Sequence, residues 1–400
     1  MHALSALLGM PQHRFASIHV VGTNGKSSVT RMTAALLEAH GLRAGACVSP
    51  HAERWSERVL IGGEEIGAAE FAAAVERAAQ AAEALDRKLP EGEVVTQFEL
   101  ATAATFVAFA AARVEVAVVE AGLGGRLDAT NTIPSRLTVL TSVGLDHTEW
   151  LGESEEEIAA EKLAVLRDHT TLVVGRVSPA VAELAARAAA ERAARLVVAP
   201  EDPGAEVALR APGRYQRRNF ALSCSAAEAF LGRSLEPEPV VATAAAVTVP
   251  GRLEQIADDP PTFLDAAHNP DGAAALAEAL ADLSLPSVRT LSGIGRQSAN
   301  GTPVVAVLAV LAEKDAAAMA RALAPAVDRA VCTEISIARP SLAASDLAVA
   351  CEAAGIAAEA EPNLAAAIQR GRALAAEIGG VLVVTGSHYT LAPARAALRP

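Results

Sequence analysis

The chain has 400 residues, 52% of them hydrophobic and only 3% aromatic, with a formal net charge of −13. That length accommodates two or three domains, and the acidic balance argues against nucleic acid as a partner, because a phosphate backbone requires a basic face. No apolar run approaches the roughly 18 residues of a membrane span, and the short stretch Ala3–Met10 lacks the basic flank of a signal peptide. The four cysteines, Cys47, Cys224, Cys332 and Cys351, form no C-x-x-C pair. They read as buried thiols of a reducing, cytoplasmic compartment.

Short β-branched runs alternate along the chain with longer Ala-rich amphipathic segments. Strands are expected at Ser17–Val21, around Ala44–Val48, and at Val114–Glu120, Leu137–Ser142, Thr171–Gly175 and Arg195–Val198. Helices are expected at Lys26–His40, Ala68–Leu85, Gln97–Ala112, Ser154–Leu166, Pro179–Ala193 and Gln216–Leu231. After Pro250-Gly251-Arg252 the pattern restarts, with strands at Pro261–Asp265, Pro303–Leu308, Arg329–Cys332 and Val381–Thr385. Helices there fall at Asp271–Leu283, Asp315–Leu323, Ser345–Ala353 and Leu364–Ala375, and Ser292–Thr302 reads as an exposed polar loop. The expectation is an α/β fold of mainly parallel sheets in two domains, residues 1–249 and 250–400.

The first strand runs into Gly22-Thr23-Asn24-Gly25-Lys26-Ser27-Ser28 and then into a helix. Main-chain N–H groups at a helix N-terminus and the Lys26 ammonium suit a bound polyphosphate. The spacing matches only half of G-x-x-x-x-G-K-[ST], since the first Gly position falls on Val20. A lone G-K-S in a loop often means nothing; its place between a strand and a helix is what points to nucleotide binding.

Other chemistry-bearing segments stand just past strand ends, where α/β folds bind ligands. Glu120 ends a fully apolar strand and opens the Gly-rich run Gly122 to Asn131, an arrangement that suits Mg²⁺ beside bound phosphates. The bland alternative is a flexible turn with Asp128 as a cap. Asp146-His147 follows the next strand and is a metal or phosphate candidate. Ser49 reads as a cap unless other oxygens converge on it. Helical spacing alone places Lys162 on a solvated face with no function. In the second block Asp265 suits a ribose hydroxyl, Arg252 a phosphate, and Thr385-Gly386-Ser387-His388 forms another strand-to-helix turn.

These ordered segments, with Pro11-Gln12, Ser49-Pro50-His51, Glu57-Arg58, Thr96-Gln97-Phe98-Glu99, Glu161-Lys162, Gln216, Asn219, Pro250 to Glu254 and Leu264 to Pro270, resemble the folylpolyglutamate synthase/dihydrofolate synthase branch of the Mur-type amide ligases over nearly the whole chain. The resemblance implies a P-loop ATPase domain followed by a smaller Rossmann-like domain, with ATP between them. It implies ATP-dependent addition of L-glutamate to dihydropteroate, to the tail of a reduced folate, or to both, through an acyl phosphate. It further implies that Gly22 to Ser28 cradle the phosphates and that Ser49, Glu120 and His147 hold Mg²⁺, with two ions in all. Lys26, Lys162 and His147 become the catalytic set, Lys162 as a carboxylated lysine, which reverses its bland reading. Asn219, Arg252 and Asp265 become nucleotide contacts, while Thr96, Gln97, Phe98, Glu99, Leu127, Asp128 and Ala129 form the pterin-side pocket. A monovalent cation and a monomeric state also belong to that expectation.

Three positions depart from the pattern. Ser27 replaces the usual Gly after the loop lysine, which leaves open whether Ser27 or Ser28 faces the metal. Leu163-Ala164-Val165 replaces Ala-Gly-Ile, and Glu313-Lys314-Asp315 replaces Asp-Lys-Asp. Two other readings compete. A peptidoglycan-type Mur ligase shares the loop and the chemistry, but it carries an N-terminal substrate domain for which the stretch before Gly22 leaves no room. A non-catalytic nucleotide-binding relative would be expected to have lost Lys26, Glu120 or His147.

Overall fold

Residues 1–283, 302–337 and 339–398 are described by a computed structural model. They form two compact units, Met1–Arg210 with Gln216–Val247, and Ala211–Tyr215 with Thr248–Pro400. The loop expected at Ser292–Thr302 lies outside the described residues except for Thr302.

The first unit holds eight strands: β1 (Ala16–Val21), β2 (Ala44–Cys47), β3 (Val59–Ile61), β4 (Glu64–Glu65), β5 (Val116–Glu120), β6 (Leu137–Leu140), β7 (Thr171–Val174) and β8 (Arg195–Val198). Their order is β4-β3-β2-β5-β1-β6-β7-β8. From β2 to β8 every pairing is parallel, while β3 and β4 add an antiparallel edge. Strand β5 reads Val-Ala-Val-Val-Glu and every residue is buried, as expected of a parallel strand covered on both faces. Its neighbour β1 crosses to β2 on one side through helix Lys26–Ala39, whereas β6 extends the sheet on the other. The carboxyl ends of β2, β5, β1 and β6 therefore converge at a topological switch point, which is where such sheets open a crevice for ligands.

The Ala-rich helices pack closely because their buried stripes are small. Ala74, Ala78 and Ala82 recur every four residues on helix Ala68–Asp86, and Val181, Ala185 and Ala189 do so on helix Pro179–Glu191. Bulk in the core comes from Phe15, Phe106 and Phe109, which meet in tilted and edge-on ring contacts.

The second unit holds β9 (Glu254–Asp258), β10 (Pro261–Leu264), β11 (Val304–Leu308), β12 (Arg329–Cys332), β13 (Ala357–Ala360) and β14 (Val381–Thr385), ordered β13-β12-β11-β14-β10-β9. All neighbours are parallel except β9, which returns antiparallel on β10. The expected α/β class with mainly parallel sheets is what the chain adopts. Strands β3, β4, β9 and β13 were not expected; β3 and β4 span only three and two residues, and β9 and β13, both edge strands, lack the run of β-branched residues that marked the others. No helix among the described residues is long and apolar enough to cross a membrane.

Candidate active site

The loop after β1 is shaped by two glycines. Gly22 has φ +153°, and a Cβ there would stand 1.9 Å from Thr141 Oγ1. Gly25 has φ +86°, and its Cβ would stand 2.7 Å from Asn219 Oδ1, so Asn219 abuts the loop at the helix start. Gly25 is the N-cap of helix Lys26–Ala39 and no side chain caps that end, which leaves the first turn suited to an anion. Lys26 Nζ donates to the carbonyls of Gly22 and Thr23, both at 3.0 Å.

The loop is tied to the end of β6 rather than left loose. Thr23 Oγ1 donates to the Gly144 carbonyl and accepts the Gly144 N–H, both at 3.1 Å. Asn24 N–H donates to Ser142 Oγ at 3.0 Å, and Thr141 Oγ1 donates to the Asn24 carbonyl at 2.7 Å. Thr141 and Ser142 were missed from sequence. Their only signal was a pair of hydroxyl residues, Thr141-Ser142, at the end of the expected strand.

At the end of β5, Glu120 is 2% exposed. Ser27 Oγ donates to its Oε1 at 3.0 Å and lies 3.4 Å from the Ser49 carbonyl, while Ser49 N–H donates to Oε2 at 2.9 Å. Ser27, Ser49 and Glu120 are thus brought together, Ser49 through its main chain. Ser28 points the other way: it is 1% exposed and its Oγ is buried without a hydrogen-bond partner. Of the two serines, Ser27 is therefore the one whose hydroxyl faces Glu120. Ser27→Ala should raise the Mg²⁺ concentration for half-maximal turnover by about tenfold, whereas Ser28→Ala should leave it unchanged, as measured by magnesium titration of ADP release.

His147, with φ +52°, caps the short helix Thr148–Leu151, and its N–H donates to Asp146 Oδ1 at 3.0 Å. Its Nε2 lies 3.8 Å from the same oxygen. Among the described residues no three His, Cys, Asp or Glu side chains cluster as a metal cage. The donor set at Glu120 is one carboxylate with a hydroxyl and a carbonyl, all hard oxygens. That fits Mg²⁺, which keeps waters and completes its shell on substrate phosphates.

Lys162 corrects its helical-spacing reading: it is 4% exposed. Burial first, and the Lys26 charge second, push its pKa down to about 7, against the partial support of Asp146, Asp128 and Glu161. The helix Glu155–Leu163 that carries it meets the loop after β5 at Gly125, where a Cβ would stand 2.7 Å from the Glu161 carbonyl and 2.9 Å from that of Lys162. Only glycine allows that approach. Arg126 Nε pairs with Glu161 Oε2 at 3.2 Å.

The residues assigned to a pterin-side pocket divide. Thr96 and Glu99 form a reciprocal capping box at the start of helix Gln97–Ala111, so both have a local structural task. Phe98 packs on Gly122, where a Cβ would stand 2.4 Å from its ring, and Gln97 is exposed. Asp128 caps the turn Ala129–Thr132 and also accepts the Leu123 N–H at 2.8 Å. Leu127 beside it is 91% exposed, and Ala129 is buried.

In the second unit, Asp265 is 4% exposed. Its Oδ2 accepts the Leu253 N–H and its Oδ1 the Ala267 N–H, each at 2.8 Å, with Tyr215 Oη 3.5 Å from Oδ2. Burial raises its pKa against the opposing pull of Arg252. Asp265 thereby stitches Tyr215 and the segment before β9 to the turn after β10, a structural duty the sequence did not disclose. Tyr215 was missed altogether, because nothing local marks it. Asn269 accepts the Gly272 N–H as a helix cap.

A mainly parallel sheet with a phosphate-type loop at its switch point, a strand-end carboxylate facing that loop and a second α/β unit fit a Mur-type ligase, and two family matches cover both units. The Mur ligase middle domain family matches residues 20–223, and the Mur ligase, glutamate ligase domain family matches residues 251–388. The dihydrofolate synthase/folylpolyglutamate synthase of Mycobacterium tuberculosis is 36% identical over 370 residues, covering 83% of this chain and 72% of its own. The folylpolyglutamate synthase of Lacticaseibacillus casei is 35% identical over 344 residues, covering 80% and 76%. Mycobacterium tuberculosis folylpolyglutamate synthase complexed with ADP superposes with a TM-score of 0.88 at 34% identity, over 100% of this chain and 94% of that one. E. coli FolC in complex with DHPP and ADP gives 0.79 at 26%, over 98% and 90%.

The chain belongs to the dihydrofolate synthase/folylpolyglutamate synthase family and is an ATP-dependent ligase.

Proposed function

We propose that this enzyme joins L-glutamate to dihydropteroate and to the glutamate tail of reduced folates. The observation that carries the reading is Glu120, a buried strand-end carboxylate bonded to Ser27 in the first turn of the phosphate-loop helix. The double-named relatives support action on both substrates.

The reaction has two displacements. A substrate carboxylate oxygen attacks the γ-phosphorus, the P–O bond to ADP breaks, and an acyl phosphate forms. The glutamate amine then attacks the acyl carbon, phosphate leaves, and the nitrogen loses a proton as the amide forms. Phosphoryl transfer needs positioning and charge neutralisation more than a protein nucleophile. Gly22 to Ser28 present main-chain N–H groups and Lys26 a mobile cation to the polyphosphate. Asn219, Arg252 and Asp265 are the proposed nucleotide contacts. Ser27, Ser49, Glu120 and His147 would hold Mg²⁺, whose chemistry there is charge neutralisation at the phosphates. A second ion would be supported by a carboxylated Lys162. Leu127 offers an apolar surface beside Asp128 for the pterin ring, with Phe98 behind Gly122. The same reading makes the enzyme a cytoplasmic monomer.

The direct test is glutamate-dependent ADP release with Mg-ATP and either dihydropteroate or tetrahydrofolate. Turnover is expected with both. Turnover with one alone narrows the enzyme to a dihydrofolate synthase or a tail-extending synthase, and silence with both overturns the proposal.

A further inference from the structure

His19 has no part in the chemistry above, yet it sits at the middle of β1, flanked in register by Val119 and Thr138. It is completely buried, and burial first with Arg167 second pushes its pKa down to about 3, so the ring is neutral. A buried imidazole in an apolar strand costs stability unless its polar atoms are used. Its Nε2 lies 2.8 Å from Thr130 Oγ1, and Thr130 Oγ1 donates in turn to Asp128 Oδ1.

The hydrogens in this chain can be assigned by counting. Thr130 has one hydroxyl hydrogen, and it goes to the carboxylate. The hydrogen between His19 and Thr130 therefore belongs to Nε2. Nδ1 is then the bare nitrogen, and Nδ1 is the ring atom that lacks a hydrogen-bond partner in the structure. A donor relay runs from Nε2–H through Oγ–H to Oδ1, out of the sheet and into the loop after β5. Asp128 spends its carboxylate on both arms of that loop: Oδ1 accepts the Thr130 N–H at 2.9 Å and Oδ2 accepts the Leu123 N–H at 2.8 Å. Between those two anchors stand Gly124 to Leu127. Farther along, Arg167 holds Asn131 Oδ1 at 2.8 Å independently of the relay.

We infer that His19 is a positioning residue that fixes the loop 122–130 through Thr130 and Asp128, with no part in proton transfer. Strand β1 thereby serves the site twice: its end carries the phosphate loop, and its middle sets the loop that reaches from Glu120 to the pterin side. The kinetic consequence rests on the proposal that Leu127 to Ala129 face the pterin acid; the structural consequence does not.

The test compares full-length wild type with His19→Leu, Thr130→Val, Thr130→Ser and the His19→Leu/Thr130→Val double variant. Amide hydrogen exchange should be about tenfold faster at Leu123 in His19→Leu and Thr130→Val, corresponding to about 1.4 kcal/mol. Thr130→Ser keeps the relay and should match wild type, and amides of β7 should be unchanged in all. The double variant should exchange like either single one, because both cut the same relay. KM for the pterin acid should rise about tenfold in the same variants, with kcat and KM for ATP within about twofold. Unchanged exchange at Leu123, equal loosening of β7, or additive effects in the double variant would overturn the inference. Faster exchange at Leu123 with unchanged KM supports the positioning role while removing the pterin-side assignment of Leu127 to Ala129. If His19→Leu does not fold, Thr130→Val and Thr130→Ser carry the comparison alone.

Discussion

Lys26→Ala should lower glutamate-dependent ADP release by about a thousandfold while leaving the thermal midpoint within a few degrees of wild type. The size of the effect follows from what the ammonium is for. Phosphoryl transfer draws most of its catalysis from fixed charge at the phosphates, and removing one such group typically costs about 10²–10³ in kcat. The small stability effect follows from how the loop is held. The Lys26 side chain donates to Gly22 and Thr23, but the loop is anchored without it by Thr23 on Gly144, Asn24 on Ser142 and Thr141 on Asn24. Lys26→Arg should not restore turnover, since a planar guanidinium does not present a compact point charge within a loop closed on itself. Near-normal ADP release from Lys26→Ala, with circular dichroism unchanged, would remove the phosphate-loop assignment.

The parts legible in the sequence were those where one residue type can do only one thing at its position. A carboxylate ending an all-apolar strand marks Glu120, and two glycines ahead of a lysine mark the turn between β1 and its helix. The parts that were not legible depend on partners distant in the chain. Ala357–Ala360 carries no β-branched residue and was expected as no element; only its pairing with β12 makes it an edge strand, an override of local propensity by the sheet. Thr96 and Glu99 have the spacing of a capping box as well as of a pocket motif; the box forms, and the pocket role stays a proposal. Ser27 and Ser28 could not be ranked until the phase of the first helical turn set one toward Glu120 and the other into the core. His19 looks like any β-strand residue; only Thr130, 111 positions later, gives it a task.

Lys162→Ala should lower kcat by at least about a hundredfold, and the reason is proton chemistry as much as charge. A lysine with its ordinary pKa of about 10.4 is neutral in roughly one molecule per thousand near pH 7.5. With its pKa pushed down to about 7, the Lys162 amine has a far larger neutral fraction there. A neutral amine attacks CO₂ through its lone pair, forms the N–C bond and loses a proton to solvent, leaving a carbamate anion. On the proposed reading, replacing the ammonium with a carbamate would relieve the repulsion from Lys26 and supply oxygens toward Mg²⁺. Enzyme loaded with ¹³C-bicarbonate should therefore show a carbamate carbonyl resonance that Lys162→Arg lacks, and stripping CO₂ should slow wild type only. Short carboxylates such as acetate should partly restore Lys162→Ala. The two lysines are coupled: removing the Lys26 charge should raise the pKa of Lys162 and weaken the resonance at fixed pH. Stability supplies an independent reading. The folded pKa lies below the unfolded one, so the unfolded state binds more protons between about pH 7 and pH 10.5 and stability rises with pH across that window. Lys162→Met should accordingly raise the thermal midpoint most below pH 7 in CO₂-free buffer, with the gain shrinking as pH increases. Full activity in Lys162→Ala would refute the carbamate, and a loss of activity in that variant with wild type indifferent to CO₂ would assign the role to the amine itself.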